Sequence, residues 1–217
     1  MPRVVRGRVR GGEVAAVLSG AAVLAGSWWA VAVNREVPRW EARVFVAVND
    51  RPDALWPVVW GPMQVGSFVG SLVVVGATGV ISRNPRLTLA ALVGSQAAFW
   101  IAKGVKELAA RGRPADLLRE VQLREEASGL GYVSGHTAVS FALAAVLAPA
   151  IPRPWRPAAW ALATLIGFAR VFAGAHLPLD VIGGAGFGVL CGTFARWAFG
   201  LGGQGLPARP GVEPGQM

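Results

Sequence analysis

Long apolar stretches separated by short polar segments dominate the pattern of this chain. Residues 14–33, 54–82 and 127–152 carry no charged side chain, and 87–102, 157–169 and 181–195 are nearly as clean. A helix needs about 20 mostly apolar residues to cross roughly 30 Å of hydrocarbon. The pattern therefore predicts an all-α fold, a six-transmembrane-helix bundle, with spans near 14–33, 58–82, 86–108, 134–151, 157–174 and 180–200.

The segment between the first two predicted spans has a different character. Residues 34–57 mix arginines and acidic residues evenly and also contain Trp40, Phe45 and Trp56. Because tryptophan is enriched at membrane interfaces, this pattern predicts a short amphipathic helix lying at the interface. We expect residues 1–201 to form a single integral-membrane domain, and the Gly/Pro-rich residues 202–217 to form a disordered tail.

Composition excludes several classes of protein. Of the 217 residues, 53% are hydrophobic and 15% are charged, whereas about a quarter are charged in a soluble domain. One cysteine and two histidines leave no disulfide and almost no Cys/His metal chemistry, so we predict neither a metal nor a cofactor. The net charge of +9 would suggest a nucleic acid partner in a soluble protein. With this hydropathy we expect a membrane bilayer as partner instead, and no nucleic acid.

The distribution of positive charge predicts the orientation. If the N-terminus is cytoplasmic, ten arginines lie on the inner side with two acidic residues, Glu13 and Glu213, while the outer segments are nearly neutral. The ten are Arg3, Arg6, Arg8, Arg10, Arg83, Arg86, Arg153, Arg156, Arg196 and Arg209. By the positive-inside rule we expect a multi-pass cell membrane protein with both termini cytoplasmic.

Ionisable side chains cluster at one predicted level of the bundle. Charged groups at membrane depth cost free energy and are usually functional. Lys106 lies near the outer end of the third predicted span, Arg170 lies in the fifth, and Asp180 opens the sixth. The predicted topology brings them level with residues 134–136 and with His176, so we expect one polar site facing the non-cytoplasmic side.

Five of these residues have the chemistry of an anion site. Lys106, Arg113 and Arg170 supply three cations, and the two arginines carry forked donors that match phosphate oxygens. Ser134 is a good N-cap, and Gly135 lets a ligand approach the backbone closely. Free amides at a helix start attract anions. This set therefore predicts phosphate binding.

The remaining members supply proton transfer and nucleophilic chemistry. His136 and His176 can donate, accept or attack near neutral pH. Gly174 is expected to stop the fifth helix, and Pro178 to place His176 and Asp180 around a turn. Asp180 can then accept a hydrogen bond from His176. Together with the cations, these residues predict a phosphoryl-transfer site without a metal.

Four other charged residues are assigned elsewhere. Lys103 has two interpretations that the sequence does not separate: its side chain extends to the membrane interface, or it binds phosphate. Arg111 is expected to be a solvated loop charge, and Glu125 and Glu126 are expected to lie on a wetted face.

Three motifs occur in the order and spacing of a known family. They are K-x6-R-P from Lys106 to Pro114, the S-G-H core of P-S-G-H at 134–136, and R-x5-H-x3-D from Arg170 to Asp180. Together they resemble the signature of the type 2 phosphatidic acid phosphatase superfamily. The motifs span residues 106–180, and the six-helix layout extends the resemblance over about 14–200.

The resemblance implies specific roles. His176 would be the nucleophile that forms a phosphohistidine, and Asp180 would orient it. His136 would protonate the leaving oxygen and then activate water. The residues expected to hold the substrate phosphate are Lys106, Arg113, Ser134, Gly135 and Arg170. Two positions depart from the family pattern: Val133 replaces proline, which loosens the start of the fourth helix, and Ala169 replaces serine, which removes a hydroxyl from the phosphate shell.

Family members of this size act on polyprenyl diphosphate, phosphatidylglycerophosphate, phosphatidic acid or diacylglycerol diphosphate. The resemblance thus implies a metal-independent lipid phosphate or diphosphate phosphatase, with polyprenyl diphosphate slightly favoured because an external site suits carrier recycling. A lipid phosphotransferase is the nearest alternative. A vanadium-haloperoxidase-like enzyme and a non-catalytic lipid-binding protein are further ones. The sequence leaves homo-oligomerisation open.

Overall fold

The structure, a computed structural model, describes residues 11–34 and 36–203, and all regular secondary structure in this part is helical. In chain order the α-helices are α1 Gly11–Val33, α2 Arg39–Asn49, α3 Trp56–Met63, α4 Phe68–Ser82, α5 Pro85–Ala109, α6 Pro114–Leu117, α7 Gly135–Leu147, α8 Arg156–Phe172 and α9 Pro178–Ala198. Short 3-10 helices lie at Asp53–Leu55, Gln64–Gly66, Ala148–Ala150 and Arg153–Trp155. The all-helical prediction is confirmed for the described residues.

The helices follow the predicted apolar stretches, but they do not establish six spans. Three helical stretches are long and apolar enough to cross a bilayer, namely Gly11–Val33, Pro85–Leu117 and Pro178–Ala198. The fourth and fifth predicted spans correspond to α7, with 13 residues, and α8, with 17. At 1.5 Å per residue, α7 alone is shorter than the hydrocarbon layer. The number of spans therefore stays a prediction.

The second predicted span is broken. Asp53–Gly66 and Phe68–Ser82 meet at an angle of 69°, and only as a bent pair do they count as a fourth candidate span. Ser67 adopts an extended conformation at the break, and its hydroxyl accepts a hydrogen bond from the Gly70 amide at 3.0 Å. A serine that caps the start of a helix in this way ends the preceding helical segment. The prediction of one continuous helix over 58–82 was wrong for this reason.

The core lies where α5, α7 and α9 pack together, mostly through alanines and glycines. A Cβ on Gly184 would lie 2.7 Å from the Ser134 carbonyl oxygen, and one on Gly188 would collide with that of Ala138. On another face of α9, a Cβ on Gly186 would lie 2.6 Å from the carbonyl oxygen of Gly20 in α1. Small residues thus let the backbones approach, as at many membrane helix contacts.

The predicted interfacial segment contains helix α2. Its residues Glu41, Phe45 and Asn49, spaced four apart, are all buried. Residues at this spacing share one face of a helix, and here that face packs on α8 and α9. Trp40 and Val44 are exposed. The helix is thus present as predicted, but its inward face carries a carboxylate and an amide.

The ends of the chain lie largely outside the described residues. The arginines of residues 1–10 and the tail from 204 onward are not described. The predictions of a disordered tail, a domain ending at 201 and cytoplasmic termini therefore stay predictions.

We predict that Gly188→Ala destabilises the α7–α9 contact. Its new methyl group would collide with a backbone carbonyl, and overpacking of this kind costs about 1–3 kcal/mol. Thermal unfolding in detergent should show a lower Tm. The matched control is Gly76→Ala in α4, where a Cβ meets nothing within 4 Å; its Tm should stay the same or rise, since alanine favours helix over glycine. Equal Tm values for the two variants would contradict the packing role.

Candidate active site

One cavity collects most of the predicted site residues. It has a volume of about 270 Å³ and lies between α5, α7, α8 and the loop that precedes α7. Six of the eight predicted residues line it: Lys106, Arg113, Gly135, His136, Arg170 and His176. The cavity also contacts Phe99, Ala102, Lys103, Glu125, Glu126, Ala127 and Ser128. Residues of all three motifs, which are distant in sequence, thus meet at one place.

His176 is presented by the turn between α8 and α9. Gly174 has φ of +76°, a conformation that suits glycine. The amides of Ala175 and His176 both donate to the Arg170 carbonyl, at 3.1 and 3.2 Å. Pro178 then begins α9 in its first turn, where the missing amide hydrogen costs nothing. The predicted end of the helix at Gly174 agrees with this geometry.

The two nitrogens of His176 face different partners. Nδ1 lies 3.4 Å from Asp180 Oδ2, which is long for a hydrogen bond. Nε2 lies 3.3 Å from an Arg113 terminal nitrogen. Burial lowers the pKa of His176 well below its ordinary value, and the nearby cations Lys106, Arg170 and Arg113 lower it further. The imidazole is therefore neutral near pH 7, which is the form that can attack phosphorus.

Backbone carbonyls hold two of the three cations in place. Lys106 Nζ donates to the carbonyls of Leu130 and Gly131, both at 2.8 Å. Arg113 donates to the Ala175 carbonyl at 2.8 Å and, through its other nitrogens, to the carbonyls of Ser128 and Gly129. These bonds fix the positions of both side chains.

Arg170 instead pairs with a carboxylate. A terminal nitrogen lies 2.9 Å from Glu125 Oε2 and 3.5 Å from Met63 Sδ. Its Nε is buried and has no hydrogen-bond partner in the described part of the chain. A buried donor without a partner is costly, so Arg170 has unused capacity beside the cavity.

Ser134 and Asp180 do not line the cavity. Ser134 is the N-cap residue of α7, but its hydroxyl makes no capping bond and accepts one from Thr137 at 3.0 Å. Its amide donates to the Asp180 carbonyl at 2.9 Å. Both residues are fully buried behind the histidines. A Cβ on Gly135 would meet nothing within 4 Å, so the first turn of α7 is open to a ligand there.

Comparison with known proteins identifies the family of this chain. The sequence profile of the PAP2 superfamily matches residues 87–201, more than half of the chain. The chain belongs to the PAP2 superfamily. As a PAP2 protein it is a phosphatase and a membrane protein, and the resemblance found in its three motifs is confirmed.

Two solved structures share the fold. LpxE from Aquifex aeolicus is 25% identical with a TM-score of 0.68, over 74% of this chain and 97% of that one. A transmembrane PAP2 type phosphatidylglycerolphosphate phosphatase from Bacillus subtilis is 21% identical with a TM-score of 0.64, over 85% of this chain and 94% of that one. No curated protein sequence matches the chain significantly.

The positions that depart from the PAP2 motifs lie in the core. Val133 is fully buried, and the neighbouring Ser134 amide is hydrogen-bonded, so the start of α7 is held firmly rather than loosened. Ala169 is also fully buried, among Ile166 and Phe172, and is not part of the cavity lining.

Sequence reasoning misplaced Arg111 and missed Glu41. Arg111 is not a solvated charge: its side chain is 9% exposed and contacts Glu41 at 2.6 Å and Asp180 at 2.8 Å. Glu41, on α2, is fully buried. The sequence did contain a signal for Glu41. It lies four residues before Phe45, so the helical spacing places a carboxylate on the apolar face of α2, where an ordinary amphipathic helix has none.

The settings of Glu125 and Lys103 can be compared with their expectations. Glu125 is not merely on a wetted face, since it pairs with Arg170, although 31% of its side chain is exposed. Lys103 lines the cavity with its ammonium 4.3 Å from the centre of the Trp100 ring and 4.8 Å from that of Phe99. Its part in phosphate binding stays open. Among residues 11–34 and 36–203, no group of three or more His, Cys, Asp and Glu side chains could hold a metal ion.

We predict that Glu125→Gln strengthens anion binding. If Arg170 binds the substrate phosphate, the carboxylate competes with that phosphate, so its removal should lower both KM and the inhibition constant of inorganic phosphate about fivefold, or about 1 kcal/mol, the upper scale for a partly exposed pair. Glu126→Gln is the matched control, because Glu126 lines the same cavity and is more exposed. A higher KM in Glu125→Gln would indicate that Glu125 instead orients Arg170 for the substrate.

Proposed function

We propose that this PAP2 phosphatase hydrolyses a phosphomonoester or pyrophosphate bond of a lipid, without a metal, through a phosphohistidine on His176. The observation that carries the proposal is the shared cavity of His176 and His136, ringed by the cations Lys106, Arg113 and Arg170. A nucleophile, an acid–base group and an anion cradle are the parts that phosphoryl transfer needs.

The chemistry follows from which atoms face the cavity. Because Nδ1 of His176 faces Asp180, Nε2 is the nitrogen available for attack. A bond forms between Nε2 and phosphorus while the bond from phosphorus to the leaving oxygen breaks, and His136 donates a proton to that oxygen. His136 then takes a proton from water, whose oxygen attacks phosphorus and releases phosphate and neutral His176.

The cations stabilise the charge that develops during both steps. Lys106 and Arg113 are fixed by carbonyl oxygens before any substrate arrives, so little reorganisation is needed in the transition state. Arg170 Nε and the open first turn of α7 at Gly135 offer further donors to phosphate oxygens. Asp180 and Ser134 act from behind, through His176 and the start of α7.

We propose a lipid substrate and favour polyprenyl diphosphate slightly, because a site on the external face suits carrier recycling. The likeness to LpxE and to a phosphatidylglycerolphosphate phosphatase supports a lipid phosphate as the substrate, without favouring polyprenyl diphosphate over other lipid phosphates. Transfer of the phosphoryl group to an acceptor other than water would use the same residues.

We further propose six spans, with cytoplasmic termini and the cavity at the non-cytoplasmic face. The C-terminal ends of α5 and α8 and the N-terminal ends of α7 and α9 all adjoin the site, as alternating passage through a bilayer requires. The arginine-rich segments lie at the other ends of these helices.

The central test is replacement of the histidines. His176→Ala and His136→Ala should each lower phosphate release at least roughly a hundredfold, the usual scale for loss of a nucleophile or an acid–base group, while a chelator leaves the wild type active. The assay uses purified protein in detergent with polyprenyl diphosphate, phosphatidic acid and phosphatidylglycerophosphate. Label from radioactive substrate should attach to wild-type protein and not to His176→Ala.

The same assay in ¹⁸O-labelled water separates the alternatives. Hydrolysis places one water oxygen in the released phosphate, whereas a phosphoryl group found on an acceptor molecule without ¹⁸O would favour a phosphotransferase. Vanadate-dependent halide oxidation without phosphate release would favour a haloperoxidase-like enzyme. Full activity of His176→Ala would refute the catalytic site.

The topology can be checked with cysteine labelling. Cys191 is the single native cysteine, so single cysteines are placed in a Cys191→Ser background. In intact cells a membrane-impermeant maleimide should label Ser128→Cys, at the cavity, and should reach Arg86→Cys, at the start of α5, only after lysis. The reverse result would invert the proposed orientation.

A further inference from the structure

We propose that Glu41 and Arg111 are positioning residues that lock the carboxylate of Asp180 against His176. The inference rests on the proposed function, in which Asp180 orients the nucleophile. It adds Arg111, at an unspecified position of the K-x6-R-P motif, and Glu41, which lies outside the region that the PAP2 profile matches.

Arg111 bridges two buried carboxylates. One terminal nitrogen donates to Asp180 Oδ1 at 2.8 Å and to Glu41 Oε1 at 3.1 Å, and the other donates to Glu41 Oε2 at 2.6 Å. Both carboxylates are fully buried. A planar guanidinium suits such a bridge because its donors are fixed in one plane.

These bonds fix the orientation of the Asp180 carboxylate. Oδ1 is held by Arg111, and Oδ2 accepts the Leu177 amide at 2.9 Å. With both oxygens fixed, Oδ2 remains directed at His176 Nδ1, 3.4 Å away. The imidazole can then carry its proton on Nδ1, facing Asp180, while the unprotonated Nε2 faces the cavity.

Glu41 ties the same network to the backbone of α9. Its Oε1 also accepts the amide of Leu179 at 2.9 Å, one residue before Asp180. The α2 helix that carries Glu41 is fastened at two more points. Phe45 packs against Val171 and Leu177, and Asn49 donates to the Phe172 carbonyl at 3.0 Å. Helix α2 thus contacts the chain on both sides of the turn that carries His176.

The cost of the arrangement argues for a function beyond stability. Two carboxylates and a guanidinium lose their hydration here, and buried ion pairs of this kind are often no more stable than apolar replacements. Their contacts converge on one side chain of the reaction, so we assign their role to the geometry of His176.

The test compares Glu41→Gln with Glu36→Gln, whose parent residue is exposed. The carbonyl oxygen of glutamine can still accept from Arg111 and Leu179 in place of Oε1, but its amide nitrogen cannot accept from the other Arg111 nitrogen, so that contact and the negative charge are lost. Phosphate release from dioctanoyl phosphatidic acid in detergent micelles should show a kcat lowered about 10- to 100-fold, the scale of small misplacements of a reacting group. KM and the inhibition constant of inorganic phosphate should stay within about twofold. Glu36→Gln should match the wild type.

A double-mutant cycle separates positioning from general destabilisation. If Glu41 acts through Asp180, Glu41→Gln added to Asp180→Asn should lower kcat by no more than about a further twofold. Arg111→Lys keeps the charge but loses the fork, and should show the same selective loss of kcat. If Glu41→Gln fails to fold, the kcat of Arg111→Lys tests the positioning role in its place.

The outcomes are distinct. Wild-type kcat in Glu41→Gln, or losses that multiply fully with those of Asp180→Asn, would overturn this inference while an inactive His176→Ala still upheld the proposed function. An active His176→Ala would overturn both.

Discussion

Three positive side chains that are wholly or partly buried meet at one cavity, and the rest of the site is arranged around that constraint. Repulsion between like charges grows as the surroundings become less polar. The protein offsets it with oxygen atoms from the loop before α7, four of whose carbonyls at 128–131 accept from Lys106 and Arg113. Glu125, from the same loop, balances Arg170. The loop therefore shapes the cavity as much as the helices do.

The backbone sets the spacing of the two histidines. Gly184 lets α9 approach the Ser134 carbonyl, and the Ser134 amide bonds to the Asp180 carbonyl. His136 follows Ser134 by two residues, and His176 precedes Asp180 by four. The separation of the two imidazoles thus depends on a direct contact between main chains, which varies less than a contact between long side chains.

Much of this architecture could be predicted from the sequence. Apolar runs located the helices closely; α5, for example, spans Pro85–Ala109 against a predicted 86–108. Motif spacing selected six residues that line one cavity. The break at Ser67 was missed because an uninterrupted apolar run does not reveal that a hydroxyl caps a new helix there. The setting of Arg111 was missed because its partners Glu41 and Asp180 are about 70 residues away in either direction, and no local pattern encodes such pairs.

The position of α2 has a consequence for what counts as the working unit. All three PAP2 motifs lie between residues 106 and 180, and a fragment beginning at 87 would contain every one of them. Such a fragment would nevertheless bury Arg111 and Asp180 without Glu41. The turn that carries His176 would also lose its contacts with Phe45 and Asn49. If Glu41 has the proposed positioning role, a fragment with all three motifs would still lack part of the catalytic arrangement, and a shortened version of the chain would need the segment ahead of the family core.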